Sequence, residues 1–336
     1  MKSPRYLAPL LAAAFVFLSV PPGGGGGRAL AAEVVLPGPL VTPQWLREHG
    51  QGVTVIDVGS DAQRLTTPPQ FTTDAQTGAK ALARTGGHIP GALFVDFNAI
   101  RQERDVGGVK LAAMMPERSF FERAMRSAGL DRGRAIVIAA VGESVESLDM
   151  AARLLFQLKY FGQEQVALLN GGTNAWIDAG YPVSTDPAPA RQGNWAAGAE
   201  RKELLATVAD VQASLGGGAV QLIDARPVAQ FFGIAKSPAV TAAGHVQGAR
   251  SLPPEGLTAG AGSARVYLGG RQLRAVFALQ GIDADKPSIS YCNTGQYAAG
   301  AWFAAHEILG QKGARLYAGS MSEWTHLNHP VVGLPQ

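Results

Sequence analysis

A single cysteine, Cys292, lies near the C-terminal end of the 336-residue chain, in the stretch SISYCNTGQYAAG. The apolar run before it predicts a strand and the run after it has helical spacing, so we expect Cys292 in a loop between a strand and a helix. In a parallel sheet this is the edge where ligands bind. Backbone N–H groups of such a loop, with the positive end of the helix, stabilise an anion, so we expect a thiolate at neutral pH. Gly295 allows a close approach to a ligand, or a positive φ.

The residues around Cys292 argue against three other cysteine chemistries. A disulfide oxidoreductase needs a second cysteine to resolve the mixed disulfide, and the chain has none. A cysteine phosphatase needs an arginine six residues on to clamp phosphoryl oxygens, where this chain has Ala298. A papain-like hydrolase needs a histidine base, and its cysteine would not be expected this late in a duplicated parallel sheet. Transfer of a sulfane sulfur through a persulfide requires only one thiolate and an anion-stabilising loop. An inert, buried cysteine stays open as an alternative.

Three sequence patterns occur twice, in the same order. They are VTVIDVGS and VQLIDARP, TGGHIPGALFV and AAGHVQGARSL, and LLNGGTNAWIDAGYPV and LYAGSMSEWTHLNHPV. Ordered repeats of this kind indicate a duplicated domain. A stretch rich in Pro, Ala and Gly separates the copies and predicts a linker. We therefore predict one domain over 40–184, a linker over 185–200 and a second domain over 201–334.

Each copy alternates apolar runs of strand length with runs of helical spacing. TVIDV, AIVIAA and VALLN are examples of the former, and SLDMAARLLFQLKYFG is an example of the latter. Strands that are buried on both faces and separated by helices are typical of a parallel sheet covered by helices. The fold class predicted is therefore α/β, with a central parallel sheet flanked by helices in each domain.

Taken together, the motifs resemble the tandem-domain rhodanese-like sulfurtransferases, the family of thiosulfate and 3-mercaptopyruvate sulfurtransferases. The motifs are the Asp-x-Arg at Asp224, the G-H-(I/V)-x-G-A turn, the strand, cysteine, loop and helix around Cys292, and the closing G-(G/S)-x-x-x-W. The resemblance covers nearly the whole chain after residue 32. It implies two rhodanese-like domains, of which only the second is catalytic. The first copy has Ala140 or Val141 near the place of the cysteine. The expected role of this copy is to form one wall of the substrate cleft.

The resemblance also implies which residues bind substrate. Arg226 matches the arginine that faces the substrate anion, and the triplet Asp57-Val58-Gly59 of the first copy lacks it, an asymmetry that favours a functional role. We expect a cradle for the donor anion in the loop after the cysteine, formed by Asn293, Thr294, Gly295, Gln296, Tyr297 and Ala298. His88 and His245 recur in both copies, so we interpret them as structural. The neutral Asn293 and Thr294 weaken the case for thiosulfate as the sole donor.

The predicted reaction moves a sulfane sulfur from a small anionic donor, thiosulfate or 3-mercaptopyruvate, to cyanide or a thiol through a Cys292 persulfide. No cofactor and no metal are expected, since His326 and His329 lack further ligand candidates nearby. The alternative is a periplasmic carrier or binding module that exchanges persulfide sulfur only with a partner protein. A periplasmic sulfur-accepting protein is therefore a further candidate partner.

Residues 1–32 begin MKSPRYLAPLLAAAFVFLSV and have the charge and apolar pattern of a signal peptide, which predicts a periplasmic protein. The sequence leaves open whether this leader is cleaved or kept as an anchor. Without Lys2, Arg5 and Arg28 the 29 basic residues become 26 and match the 26 acidic residues. A neutral chain of this kind does not suggest a nucleic-acid partner.

Overall fold

Each sequence repeat contains one five-stranded parallel sheet. The computed structural model describes residues 34–187, 191–216 and 218–334, so the predicted leader at 1–32 lies outside the described residues. The strands of the first half are β1 (Leu40–Val41), β2 (Thr54–Gly59), β3 (Gln70–Thr73), β4 (Lys80–Arg84), β5 (Leu93–Asp96), β6 (Gln102–Val106), β7 (Val109–Met114), β8 (Ile136–Ala139) and β9 (Val166–Leu169). Its helices are α1 (Pro43–His49), α2 (Arg118–Ser127), α3 (Val145–Tyr160) and α4 (Gly172–Asp178).

The second half repeats this order of elements, except that a short helix stands in place of the hairpin of β3 and β4. Its strands are β10 (Leu205–Ala206), β11 (Gln221–Asp224), β12 (Arg250–Ser251), β13 (Thr258–Ala261), β14 (Ala264–Tyr267), β15 (Ser288–Tyr291) and β16 (Ala314–Tyr317). Its helices are α5 (Val208–Ala213), α6 (Val228–Phe231), α7 (Gly270–Leu279), α8 (Gln296–Trp302) and α9 (Ser320–His326), and a π-helical segment, Phe303–Ile308, continues α8.

The two sheets have matching strand orders. The first is β1-β9-β8-β2-β5 and the second is β10-β16-β15-β11-β12, and neighbouring strands run parallel in both. The strands β3 and β4, β6 and β7, and β13 and β14 form separate antiparallel hairpins. The predicted fold class, α/β with a parallel sheet flanked by helices in each half, is confirmed. The domain boundaries stay a prediction, because the described residues pack as one unit.

Helices α3 and α8 join the two halves. Helix α3 begins at a capped turn, where the Ser144 side chain accepts a hydrogen bond from the Ser147 N–H. Helix α8 is built from small residues, and a Cβ atom on Gly300 would collide with the Asp149 carboxylate of α3. The ring of Phe156 packs edge-on against Trp302, with 4.9 Å between centroids. One hydrophobic cluster therefore contains side chains of both halves.

In the part of the chain that the structure describes, no helix combines the length and apolar character that crossing a membrane requires.

Candidate active site

Cys292 is the first residue after β15, and its side chain is buried, with 2% of its surface exposed. Its Sγ atom accepts a hydrogen bond from the Gly295 N–H at 3.0 Å. Gly295 has φ +84°, and a Cβ atom there would collide with the Arg153 guanidinium and lie 2.8 Å from the Ala318 carbonyl oxygen. The expected strand, loop and helix around the cysteine are confirmed. Only glycine fits at this position, and its positive φ lets the backbone N–H point toward the sulfur.

The backbone of Cys292 is held from both sides by the turn that precedes α9. Its N–H donates to Ser320 Oγ at 3.0 Å, and the Ser320 hydroxyl donates in turn to the Tyr317 carbonyl at 2.8 Å. The Cys292 carbonyl accepts from the Met321 N–H at 3.0 Å. Ser320 is fully buried and has a positive φ of 52°. These bonds fix the direction in which the cysteine enters the loop.

The other residues of the predicted cradle separate into a short loop and a helix. The Asn293 side chain donates to Gln230 Oε1 at 2.8 Å, and Thr294 is half-buried. Helix α8 begins at Gln296, whose amide donates to the Glu146 carbonyl of α3 at 3.0 Å. Ala298 is fully buried in the core, so its side chain packs there. The loop is therefore Asn293 to Gly295, shorter than the predicted cradle.

Tyr297, in the first turn of α8, is half-buried beside the loop. Burial raises the pKa of its hydroxyl to about 12, and the negative charge of Glu146 acts in the same direction. The hydroxyl therefore stays protonated at neutral pH and can donate a hydrogen bond.

Arg226 lies at the end of β11 and is 1% exposed. Its Nη2 donates to Asp224 Oδ2 at 2.6 Å and to the Gly244 carbonyl at 2.7 Å, next to His245. Burial lowers the pKa of Arg226, but the hydrogen bond and charge of Asp224 outweigh that effect and raise it. Asp224 pairs with Tyr291, so Arg226 follows the strand that neighbours β15, the strand before Cys292.

The first half contains the same arrangement, with an arginine from a different position in the sequence. Arg64 pairs with Asp57, and its Nη1 donates to the Gly87 carbonyl at 2.8 Å. The expected asymmetry between the copies is therefore absent, since Arg64 lies in a 3₁₀ turn after the strand and not at the Asp-x-Arg position. Both arginines hold the turn that precedes a histidine, so this structural role alone accounts for burying Arg226. Its contact with substrate stays a prediction.

Arg153, which no sequence motif marked, reaches the cysteine loop from α3 of the first half. It is fully buried, and its Nη1 donates to the Gly295 carbonyl at 3.0 Å. Burial lowers its pKa to about 10, an effect that the negative charge of Cys292 opposes. The signal in the sequence was an arginine within the apolar run DMAARLLFQL of a buried helix. Such a residue needs a partner, but its spacing does not say which one.

Comparisons with known proteins agree with this geometry. The model of the rhodanese-like domain matches residues 207–327. The thiosulfate sulfurtransferase of Bos taurus is 28% identical over 251 residues, which cover 74% of this chain and 81% of the bovine protein. The 3-mercaptopyruvate sulfurtransferase of Escherichia coli K12 is 30% identical over 288 residues, 85% of this chain and 94% of that protein. This chain belongs to the rhodanese-like sulfurtransferase family.

One solved structure supports the same assignment, and a second shares the fold. The crystal structure of SseA from Escherichia coli, which has the rhodanese fold, matches 84% of this sulfurtransferase and 98% of SseA, with a TM-score of 0.66 and 26% identity. A complex of EanB with ergothioneine matches with a TM-score of 0.71 at 19% identity, which shows a shared fold alone.

In this sulfurtransferase the first half has an alanine at the position of the cysteine. Asp57 of β2 pairs with Ala139 of β8, and Asp224 of β11 pairs with Tyr291 of β15. Ala140 therefore occupies the place of Cys292, and Val141 the next one. The Ala140 carbonyl accepts from the Thr173 N–H at 2.8 Å, as the Cys292 carbonyl accepts from Met321.

A cavity of about 600 Å³ opens at this edge of the first sheet. It is lined by the loop after β2, the hairpin of β3 and β4 and the start of α3, including Glu146 and Met150, and it does not include Cys292. Glu146 is also the residue whose carbonyl binds Gln296 beside the cysteine loop. The cavity and the cysteine loop thus both adjoin Glu146 in the first turn of α3.

Asp149 faces the second half from α3 and is 1% exposed. Its Oδ1 accepts from the Tyr267 hydroxyl at 3.3 Å, while its Oδ2 has no partner among the described residues. Burial raises the pKa of this carboxyl well above its usual value, and Glu255 and Glu146 add to the effect. The contact between the halves thus favours a neutral Asp149.

Proposed function

We propose that this sulfurtransferase moves a sulfane sulfur from thiosulfate or 3-mercaptopyruvate to a thiol or cyanide, through a persulfide on Cys292. The observation that carries the proposal is the hydrogen bond from the Gly295 N–H to Cys292 Sγ, 3.0 Å long. A fixed backbone donor at this place stabilises negative charge on sulfur without reorganisation. The names of the relatives, which are sulfurtransferases for both donors, support the choice of substrates.

The first step forms the persulfide. The Cys292 thiolate attacks the outer sulfur of thiosulfate, the S–S bond of thiosulfate breaks, and sulfite leaves with the electron pair. With 3-mercaptopyruvate the C–S bond breaks, and the pyruvate enolate leaves and takes the proton that the donor thiol carried. In both cases Cys292 becomes Cys-S-S⁻ near neutral pH.

The second step returns the enzyme to its starting state. A thiolate or cyanide attacks the outer sulfur of the persulfide, the S–S bond to Cys292 breaks, and the thiolate of Cys292 is restored. The Tyr297 hydroxyl stays protonated at neutral pH, and we infer that it donates a hydrogen bond to a negative group of the donor or acceptor. Asn293 and Thr294 are neutral, so they supply no cation to the dianion of thiosulfate.

Intact mass after incubation with each sulfur donor tests this function. We expect an increase of about 32 Da that cyanide removes, since one sulfur is added to Cys292. The matched control is Cys292→Ser, which differs by one atom and should gain no mass. A wild-type protein that gains no mass with either donor would exclude the proposal for small donors.

The alternative is a carrier that exchanges sulfur only with a partner protein. It is supported by exposed apolar side chains in the segment after α6, where Phe232 and Ile234 are 43% and 69% exposed. This segment is continuous with Gln230, which binds Asn293. Persulfide formation with a purified donor protein, together with no turnover of small donors, would select the carrier over the enzyme.

A further inference from the structure

Three arginines are buried among the described residues, and of these Arg153 is the one with no carboxylate partner there. Arg64 is paired with Asp57 and Arg226 with Asp224. In the described ranges, the titratable groups that act on Arg153 are Cys292 and Arg101, and of these only Cys292 can carry the opposite charge. A buried cation without a counter-ion is costly, so the sulfur of Cys292 is the group placed to compensate it.

The contacts connect Arg153 to the sulfur through a single residue. Arg153 Nη1 donates to the Gly295 carbonyl at 3.0 Å, and the Gly295 N–H donates to Cys292 Sγ at 3.0 Å. The Nε and Nη2 atoms of Arg153 are buried, and no partner for them lies in the part of the chain that the structure describes. The side chain thus fixes one end of the loop and brings an unneutralised positive charge to it.

We propose that Arg153 is a positioning residue, contributed by the half that lacks a cysteine, which holds Gly295 in place and keeps the Cys292 sulfur anionic as thiolate and as persulfide. The proposal deepens the proposed function and rests on it. It assigns the first half a direct part in the chemistry of the second.

The charges around Cys292 are consistent with this role. They are Arg153 on α3, Arg226 after β11 and Tyr297 in α8. Arg226 is neutralised by Asp224, and Tyr297 is uncharged at neutral pH. Arg153 therefore supplies the positive charge that a carboxylate does not already balance. Its pKa of about 10 keeps it charged at the pH of the reaction.

The test compares three variants of Arg153 by the rate at which iodoacetamide alkylates Cys292 as a function of pH. Arg153→Met removes the charge and the hydrogen bonds, Arg153→Gln removes the charge and keeps an amide donor, and Arg153→Lys keeps the charge. The plateau rate at high pH reports access to the thiol, and the midpoint of the profile reports its ionisation. We expect both neutral variants to react about tenfold more slowly at pH 7, with the midpoint about one unit higher. Arg153→Lys should stay within about threefold of wild type.

Arg101→Met is the matched control, because Arg101 is a neighbouring arginine that binds Asn98 and not the cysteine loop. It should leave the midpoint unchanged. Folded neutral variants with the wild-type midpoint would overturn the proposal, as would a lysine variant as slow as the glutamine one. Should Arg153→Met fail to fold, Arg153→Gln, which keeps an amide donor to the Gly295 carbonyl, carries the comparison with Arg153→Lys. Alkylation needs no sulfur donor, so a failure of the persulfide chemistry itself would appear separately, as absent mass gain in the wild type.

Discussion

Among the described residues, three arginines are buried, and each donates to the carbonyl of a glycine. Arg64 binds Gly87, Arg226 binds Gly244 and Arg153 binds Gly295. The first two glycines precede the structural histidines of the two repeats, and the third lies in the cysteine loop. The same arginine-to-carbonyl hydrogen bond therefore fixes a turn in two places and lies beside the Cys292 sulfur in the third.

Arg64→Lys and Arg226→Lys test whether Arg226 has a second role. Each change keeps the charge and loses the planar fork, so each should lower the free energy of unfolding by about 1 to 2 kcal/mol. Of these two variants, we expect only Arg226→Lys to raise KM for the sulfur donor, by about tenfold. Arg226 lies in the half that contains the thiol, and Arg64 lies in the other half. Unfolding in urea and steady-state kinetics measure the two effects. If Arg226→Lys had the same KM for the sulfur donor as Arg64→Lys, Arg226 would have its structural role alone.

Gly295→Ala should disable the loop. The new methyl group would meet the Arg153 guanidinium and the Ala318 carbonyl, and the residue would have to keep φ at +84°. We expect a loss of about 1 to 3 kcal/mol of stability and at least a tenfold slower gain of sulfur mass. Gly310→Ala is the matched control, since φ is +76° there and nothing lies within 4 Å of the added atom. If both variants gained sulfur mass as fast as the wild type, sulfur transfer would not depend on the conformation of the cysteine loop.

At the scale of elements, the packing of α3 against α8 brings the site together. Gln296 and Gly295 receive their partners Glu146 and Arg153 from α3, and Gly300 allows the approach of Asp149. The π-helical segment after α8 extends this contact to the C-terminal end of α3. There Glu307 binds Lys159 of α3 at 3.3 Å and His306 at 2.7 Å.

This pairing makes part of the stability depend on pH. Burial raises the pKa of Glu307, but His306 and Lys159 outweigh it and lower the pKa below its usual value. A carboxyl with a lowered pKa contributes stability that is present above its unfolded pKa of about 4.3 and is lost as pH falls through the folded value. We expect urea unfolding to show this loss below about pH 5 in the wild type. In Glu307→Gln the loss should be smaller and the stability at pH 7 lower by about 1 to 3 kcal/mol. If Glu307→Gln kept the pH profile of the wild type, the contacts of Glu307 with His306 and Lys159 would contribute no pH-dependent stability.

At the scale of the whole molecule, the two halves share one core. Ile56 and Leu154 of the first half belong to the same cluster of buried side chains as Ile223 and Trp302 of the second. The halves therefore do not have the small, polar contact that is common between domains of one chain.

A truncated chain of residues 201–336 should show this dependence. Without α3 it exposes Trp302 and the small-residue face of α8, and it lacks Arg153. We expect it to unfold without a cooperative transition, with a solvent-exposed tryptophan fluorescence maximum, and to gain no sulfur mass. Adding residues 33–200 as a separate chain should restore part of the cooperative unfolding, of the buried tryptophan fluorescence and of the gain in sulfur mass. A stable, fully active second half would show that the first contributes nothing to the site.

The sequence by itself determined the features that depend on local patterns. Apolar periodicity predicted the alternating strands and helices, and the ordered motifs predicted two copies of one domain. The apolar run, the glycine and the helical run around Cys292 predicted its place at the carboxyl edge of a sheet. These features were readable because neighbouring residues determine them through side-chain periodicity and backbone conformation.

Only the tertiary structure decided which distant side chains meet. Arg153 lies 142 positions from Gly295, and it reaches that residue because α3 packs against α8. Arg64 lies seven positions after Asp57 and takes the place of the arginine that the first repeat lacks at its Asp-x-Arg position. Alignment of motifs could not find either residue, because a buried charge is satisfied by whatever group the packed helices bring within hydrogen-bond distance.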